Sequence, residues 1–212
     1  MPSSTPALIL PIFPLPDVAF FPHTLLPLHV FEARYRAMVM DALARDRRLA
    51  VVKLRAGYET TYAGKPAVHA VAGAGEIVSW ERLATGRYNI LVKGDCRARI
   101  ASERPSDTLY RIVTAHRLED VPPAADAAPV LGRIRGACGR LLRALDRPAD
   151  LLDTALADGQ PPGAIADRIA SAVIPDADLR QELLETLDVT QRLDRLARAL
   201  DQLVSELLRG RE

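Results

Sequence analysis

Two hydrophobic periods divide this chain. Through residues 7–118, short apolar runs alternate with polar positions and are broken by glycine and proline, the pattern of half-buried strands. Beyond residue 122 the apolar positions recur at three- and four-residue spacing, the pattern of amphipathic helices. In the first part, strands are expected at 7–13, 25–30, 49–55, 68–82, 87–93, 95–104 and 110–117. Pro11 and Pro14 cannot donate a ladder hydrogen bond, so the first run reads as an edge or terminal strand. Pro14-Leu15-Pro16-Asp17 then makes a turn. One helix is embedded at 31–45: Phe31, Tyr35, Met38, Val39, Ala42 and Leu43 share one face, with Arg34, Arg36 and Asp41 opposite. Residues 57–66 form a polar loop, and Gly73 and Gly75 inside the 68–82 run predict a bulge or a sharp bend. Short strands with one embedded helix give a small curled sheet or barrel.

Pro122-Pro123-Ala124-Ala125 is the expected linker, so residues 1–121 form a β domain and 122–212 a helical subdomain. Helices are expected at 129–145, 150–157, 162–173 and 179–187, with stops at Arg147-Pro148, Asp158-Gly159 and Ile174-Pro175-Asp176. Asp188 to Gln191 reads as a capping box opening the last helix. That helix carries Leu193, Leu196, Leu200, Leu203 and Leu207 in one stripe, and an Asp194–Arg198 ion pair four residues apart. The stripe reads as intramolecular core, with a dimerising seam as the alternative.

Composition narrows the function classes. With 49% hydrophobic and 26% charged residues, 212 residues are ample for a soluble globular fold. Lys and Arg number 28 against 27 Asp and Glu, a net charge of +1 that argues against a dedicated nucleic-acid binder, though not against a local patch. Cys96 and Cys138 have no metal-ligand spacing and read as reduced thiols of a cytoplasmic protein. Residues 1–7 lack a basic segment, so no signal peptide is expected. No apolar run approaches the roughly 18 residues of a membrane span.

Catalytic patterns are missing. Gly64-Lys65 is followed by Pro66 rather than Ser or Thr, so no P-loop forms. Gly73-Ala74-Gly75-Glu76 lacks the third glycine of a dinucleotide fingerprint, and no Gly-x-Ser-x-Gly elbow occurs. His23, His29, His69 and His116 make no His-x-x-x-His pair, and His29 in its apolar run reads as a hydrogen-bonded structural histidine. Ser79 and Ser102 lie on strand-like segments without local activation. No catalytic residue, metal or cofactor is expected.

The N-terminal run Leu10-Pro11-Ile12-Phe13-Pro14-Leu15-Pro16-Asp17, then Phe20-Phe21-Pro22 and Leu26-Pro27-Leu28-His29-Val30-Phe31-Glu32-Ala33-Arg34-Tyr35, resembles the opening of the Lon protease N-terminal, substrate-binding domain. Gly75-Glu76-Ile77-Val78 and the segment from Gly86 to Gly94 are similar to that family's second block. Gln181 to Val189 with Arg192-Leu193 is similar to its helical part. The family usually places an Arg-aromatic pair after the position of Gly94, where this chain reads Arg97-Ala98-Arg99. The resemblance spans roughly residues 8–208. It implies an α+β fold: a PUA-like curled β-sheet or barrel with one embedded helix, followed by an α-helical subdomain. It also implies a bacterial-like, free-standing polypeptide-binding module without the ATPase and protease modules, acting in protein quality control on unfolded or extended chains, with a separate protease as a further partner.

Phe20, Phe21 and Leu25 are the candidates for an exposed binding patch, with burial of both phenylalanines in the barrel or domain junction as the competing reading. Arg34 and Tyr35 are further candidates, although with Glu32 they also suit tying the helix to the barrel. The chain is expected to be a monomer or weak homodimer. An RNA-binding alternative rests on Arg97, Arg99, Arg104 and Arg111 near Tyr110, and a small-ligand sensor or unrecognised hydrolase is a third reading.

Overall fold

The computed structural model describes residues 6–62, 64–157 and 159–209. Residues 1–5 of the 1–7 segment read for a signal peptide, Ala63 in the polar loop, Asp158 in a predicted stop and residues 210–212 lie outside them. Contacts divide the chain into two units, Met1–Glu119 and Asp120–Glu212.

The first unit is a six-stranded sheet with one helix. Its elements are β1 (Leu8–Leu15), β2 (Leu25–Val30), α1 (Ala33–Leu43), β3 (Arg48–Lys53), β4 (Val71–Arg82), β5 (Tyr88–Arg104) and β6 (Ile112–Leu118), with a single 3₁₀ turn at Glu59–Thr61. The strand order is β2-β5-β4-β3-β1-β6, and β6 also pairs with β5, so the sheet curls back on itself without becoming a regular barrel. Among the described strands of this sheet, β1 and β3 are the one parallel pair. The expected strands at 87–93 and 95–104 are one 17-residue strand, not two. β5 pairs with β4 on one edge; on the other it pairs first with β2, from Tyr88 to Lys93, and then with β6, from Arg97 to Arg104. Gly94 lies at that handover rather than at a chain break.

Two apolar clusters hold this unit. Inside the curl, Leu10, Ile12, Ala50, Val52, Ala72, Ala74, Cys96 and Ala98 are buried together, and the small side chains suit a tight curl. On the other face of β3, Leu49 and Val51 meet Met38 and Val39 of α1 together with Phe13, Phe20, Ile77 and Val92. β3 is therefore buried on both faces, which explains its unbroken Leu-Ala-Val-Val run. The bulge expected from the glycines is present at Ala74/Gly75, and a second register shift follows at Ile77/Ser79.

The second unit holds α2 (Ala128–Ala144), α3 (Pro162–Val173), α4 (Ala177–Glu185) and α5 (Val189–Arg209). The helix expected at 150–157 is only a 3₁₀ turn at Ala149–Leu152. Asp176, read from sequence as part of a breaker, caps α4 by accepting the Asp178 and Leu179 N–H groups. Asp188 caps α5 through the Gln191 N–H at 3.0 Å; among the described residues the Gln191 side chain does not return the bond, so the reciprocal box is half formed. Arg198 reaches the Asp194 carbonyl rather than its carboxylate. Leu193, Leu196 and Leu200 are wholly buried, as a core stripe requires, whereas Leu203 and Leu207 are only half-buried.

Candidate functional site

The candidate surface begins with the pleat of β2. Leu26, Leu28 and Val30 turn inward to the α1 cluster, so Leu25, Pro27 and His29 turn outward and are exposed. Phe31 continues that outward series. α1 begins at Ala33 with Glu32 at its N-cap, so Phe31 precedes the helix instead of packing from its apolar face as the sequence spacing predicted. It is 58% exposed, as is Leu25.

Neighbouring strands extend this face in register. Leu25 lies opposite Lys93, Pro27 opposite Leu91 and His29 opposite Asn89; on β4, Lys93 meets Glu76, Leu91 meets Ser79 and Asn89 meets Glu81. The His29 Nδ1–H donates to Asn89 Oδ1 at 2.8 Å, and Asn89 Nδ2 donates to Glu81 Oε2 at 3.1 Å. This chain fixes the imidazole, which stacks on the Phe31 ring with centroids 6.3 Å apart. His29 is thus hydrogen-bonded, but on the outer face. The result is an apolar strip of Leu25, Pro27, Leu91 and Phe31 bordered by Lys93, Glu76 and Glu81. It offers side-chain contact area with charges at its rim.

The other sequence candidates lie elsewhere. Phe20 and Phe21 are 2% and 0% exposed, so they are core residues and cannot form a contact patch. Two glycines make room for their backbone. A Cβ at Gly73 would stand 1.8 Å from the Phe20 carbonyl oxygen, and one at Gly94 would stand 2.1 Å from the Phe21 carbonyl oxygen. At Gly75 it would stand 2.2 Å from the Lys93 carbonyl oxygen of β5 and 3.1 Å from the Phe20 ring. Tyr35 is buried against Phe13, their ring centroids 4.3 Å apart. Burial pushes its hydroxyl up to about 12.

Arg34 is a fastener rather than an open contact residue. Its Nη2 pairs with Glu32 Oε2 at 2.9 Å, its Nη1 donates to the Tyr62 carbonyl at 3.2 Å, and its guanidinium lies over the Tyr35 and Tyr62 rings. The Tyr62 hydroxyl closes the cluster on Glu32 Oε1 at 2.9 Å. The start of α1 is thereby pinned to the polar loop. Of the candidates, Leu25 alone is exposed, on the outer β2 face. Sequence reasoning missed His29 and Phe31 there; the period-two series Leu25, Pro27, His29, Phe31 carries the signal.

The four arginines weighed for RNA do not make one open face. Arg97 is buried, and Arg111 is held by Glu103 at 3.1 Å and by the Pro66 carbonyl at 2.8 Å. Arg99 and Arg104 are exposed, and the Tyr110 hydroxyl is spent on Asp41 at 2.7 Å. Among the described residues, no group of three or more His, Cys, Asp or Glu side chains is arranged to hold a metal ion. No described helix is long and apolar enough to cross a membrane.

Comparison with known proteins places this geometry in a family. The family model for the ATP-dependent protease La (LON) substrate-binding domain matches residues 9–202. Lon protease 2 of Bdellovibrio bacteriovorus is 29% identical over 203 residues, covering 94% of this chain and 24% of that protein. Lon protease of Desulfosudis oleivorans is 22% identical over 200 residues, with the same two coverages. The chain thus spans about a quarter of the length of these relatives. The fold matches the N-terminal domain of Mycobacterium avium complex Lon protease with a TM-score of 0.73 at 18% identity, covering 92% of this chain and 98% of that one. It also matches a Lon N-terminal domain protein from Xanthomonas campestris, with a TM-score of 0.65 at 23% identity, covering 89% and 96%. The expected α+β fold is therefore present, and the chain belongs to the Lon substrate-binding domain family.

Proposed function

We propose that this domain recognises unfolded or extended polypeptide without hydrolysing it, in cytoplasmic protein quality control, and that clients are passed to a protease. The observation that carries the reading is the exposed apolar strip Leu25–Pro27–Phe31, with Leu91 beside it, in a member of a substrate-binding family. An unfolded chain displays apolar side chains that a native protein hides, and a small exposed apolar face with a charged rim is suited to them.

The size of the strip bounds the affinity. Fully burying one large apolar side chain gains about 1.5–3 kcal/mol, and ordering a flexible client offsets part of that gain. A single copy is therefore expected to bind at about micromolar strength, roughly −8 kcal/mol. The test is fluorescence anisotropy with a labelled, permanently unfolded carboxymethylated protein, comparing wild type with the Leu25→Ser, Phe31→Ser double variant. Both side chains are exposed, so the variant is expected to fold and to bind at least about tenfold more weakly. Unchanged affinity in the folded variant would remove this face from the account. A low dependence on salt separates the apolar mode from RNA binding, whose affinity falls steeply as salt rises.

A further inference from the structure

The α5 stripe changes character along its length. Leu193, Leu196 and Leu200 are buried among the other helices, but Leu203 and Leu207 border an open groove of about 890 Å³. The groove lies wholly within the helical unit, between the ends of α2, α3 and α5 and the 3₁₀ turn that follows α2. Leu145, Leu151 and Val173 line it, and Leu145 and Leu151 are 52% and 61% exposed. Its two charged lining residues have opposite signs: Arg147 after α2 and Glu206 on α5. Among the described residues, Glu206 accepts only from its helix neighbour Gln202, at 2.8 Å. The Arg147 guanidinium has no ionic partner among the described residues and does not reach Glu206 of its own chain.

We propose that this groove is a self-association face, occupied by the α5 end of a second copy around a two-fold axis. Two features select that occupant. In a two-fold interface, a residue that meets a second residue across the axis is met by it in turn. An Arg147–Glu206 contact between copies would therefore form twice and satisfy both charges of the groove. The leucines also continue the spacing by which α5 packs on its own neighbours, so Leu203 and Leu207 are already presented as helix-packing side chains. The net charge of +1 sets no large repulsion between copies.

The test is sedimentation velocity over a concentration series with the full chain. Wild type is expected to show a concentration-dependent dimer. Arg147→Glu alone places Glu against Glu across the axis, and Glu206→Arg alone places Arg against Arg. Each is expected to weaken dimerisation by about tenfold or more. An equimolar mixture of the two single variants restores both opposite-sign contacts in the heterodimer and is expected to return to within about threefold of wild type. A pair within one chain cannot produce that recovery. Leu207→Asp is expected to abolish the dimer while leaving the circular dichroism of the helices unchanged. The proposal is overturned by a wild type that stays monomeric up to about 1 mM, by single variants that dimerise normally, or by a mixture that associates no better than its parts. A dimer that survives Leu207→Asp also overturns it.

Discussion

Arg192 on α5 grips the carboxylate of Asp120, 72 residues earlier, with both terminal nitrogens: Nη1 reaches Oδ1 at 2.9 Å and Nη2 reaches Oδ2. The same Nη1 donates to the Thr186 carbonyl at 2.9 Å, and Nε faces the wholly buried Asp167 at 3.4 Å. Asp120 opens the second unit, and Val121 beside it exchanges backbone hydrogen bonds with Leu187 and Val189. One arginine thus fastens the first residues of the helical unit to the start of its last helix. Removing one partner of a buried pair leaves the other charge uncompensated, at about 3–5 kcal/mol. Arg192→Ala is expected to destabilise the helical unit by that amount in urea unfolding, and Asp120→Asn by less, because Asp120 keeps some solvent.

Gly163 reports on the same clamp. A Cβ there would stand 2.7 Å from Asp120 Oδ2 and 2.8 Å from Arg192 Nη2, neither of which can turn away without breaking the pair. Gly163→Ala is expected to cost about 1–3 kcal/mol, the usual range for overpacking. In an Arg192→Ala background the added penalty should shrink. A double-mutant cycle measures that coupling.

In the sheet unit, Gly73→Ala is expected to cost about 3 kcal/mol or more, since its Cβ meets the Phe20 backbone, which cannot swing aside like a side-chain tip. Phe20→Ser is expected to cost about as much through lost burial and an empty space in the core. Thermal unfolding of both variants checks this. A Phe20→Ser protein as stable as wild type would contradict the core assignment.

These glycines show where sequence reading succeeded and where it stopped. The residues 25–30 and 162–173 were legible to the residue, because local alternation and a proline start define them. Gly73 and Gly75 correctly signalled a bulge. What local pattern could not carry was the reason for Gly73, since Phe20, whose backbone needs the space, lies more than 50 residues earlier. Gly94 misled in the same way: it looked like a strand end, yet its missing side chain admits Phe21 while the strand continues. The spacing of Phe31 to Tyr35 fits a helical face, but Phe31 fits the β2 alternation equally well, and α1 begins only at Ala33. In the 150–157 segment Leu152 alone is buried, and a 3₁₀ turn forms at Ala149–Leu152 in place of the expected helix.

Stability is expected to fall at alkaline pH. Burial, joined for Tyr110 by the hydrogen bond to Asp41, pushes Tyr35 and Tyr110 up to about 12 from 10.0, and burial pushes Cys138 up to about 11 from 9.0. The unfolded chain therefore loses these protons first. The stabilisation is complete below pH 9 and is lost as pH rises from about 9 to 12. On the acid side, burial pulls Asp95 and Glu103 upward. The Arg48 and Arg117 contacts to Asp95, and the Lys65 and Arg111 contacts to Glu103, outweigh it and hold both carboxyls below their ordinary values. Their contribution is present above about pH 4 and is lost as pH falls through the depressed values. Melting temperatures across pH 2–12 test both limbs.

Arg34→Ala should release the polar loop while leaving the sheet folded, because it removes the contacts to Glu32 and Tyr62 together. Limited trypsin digestion is expected to cut at Arg55 several-fold faster in the variant. An unchanged cleavage rate would show that the cluster does not hold the loop.

The outer β2 face is the surface proposed to receive polypeptide. Amide chemical-shift mapping by NMR, during titration with a permanently unfolded carboxymethylated protein, tests it most directly. The predicted result is saturable shifts concentrated at Leu25, Leu26, Leu28–Phe31 and Asn89–Lys93, with Phe20 and Phe21 largely unmoved. Shifts confined to the helical unit, or none at concentrations well above the expected micromolar range, would contradict it.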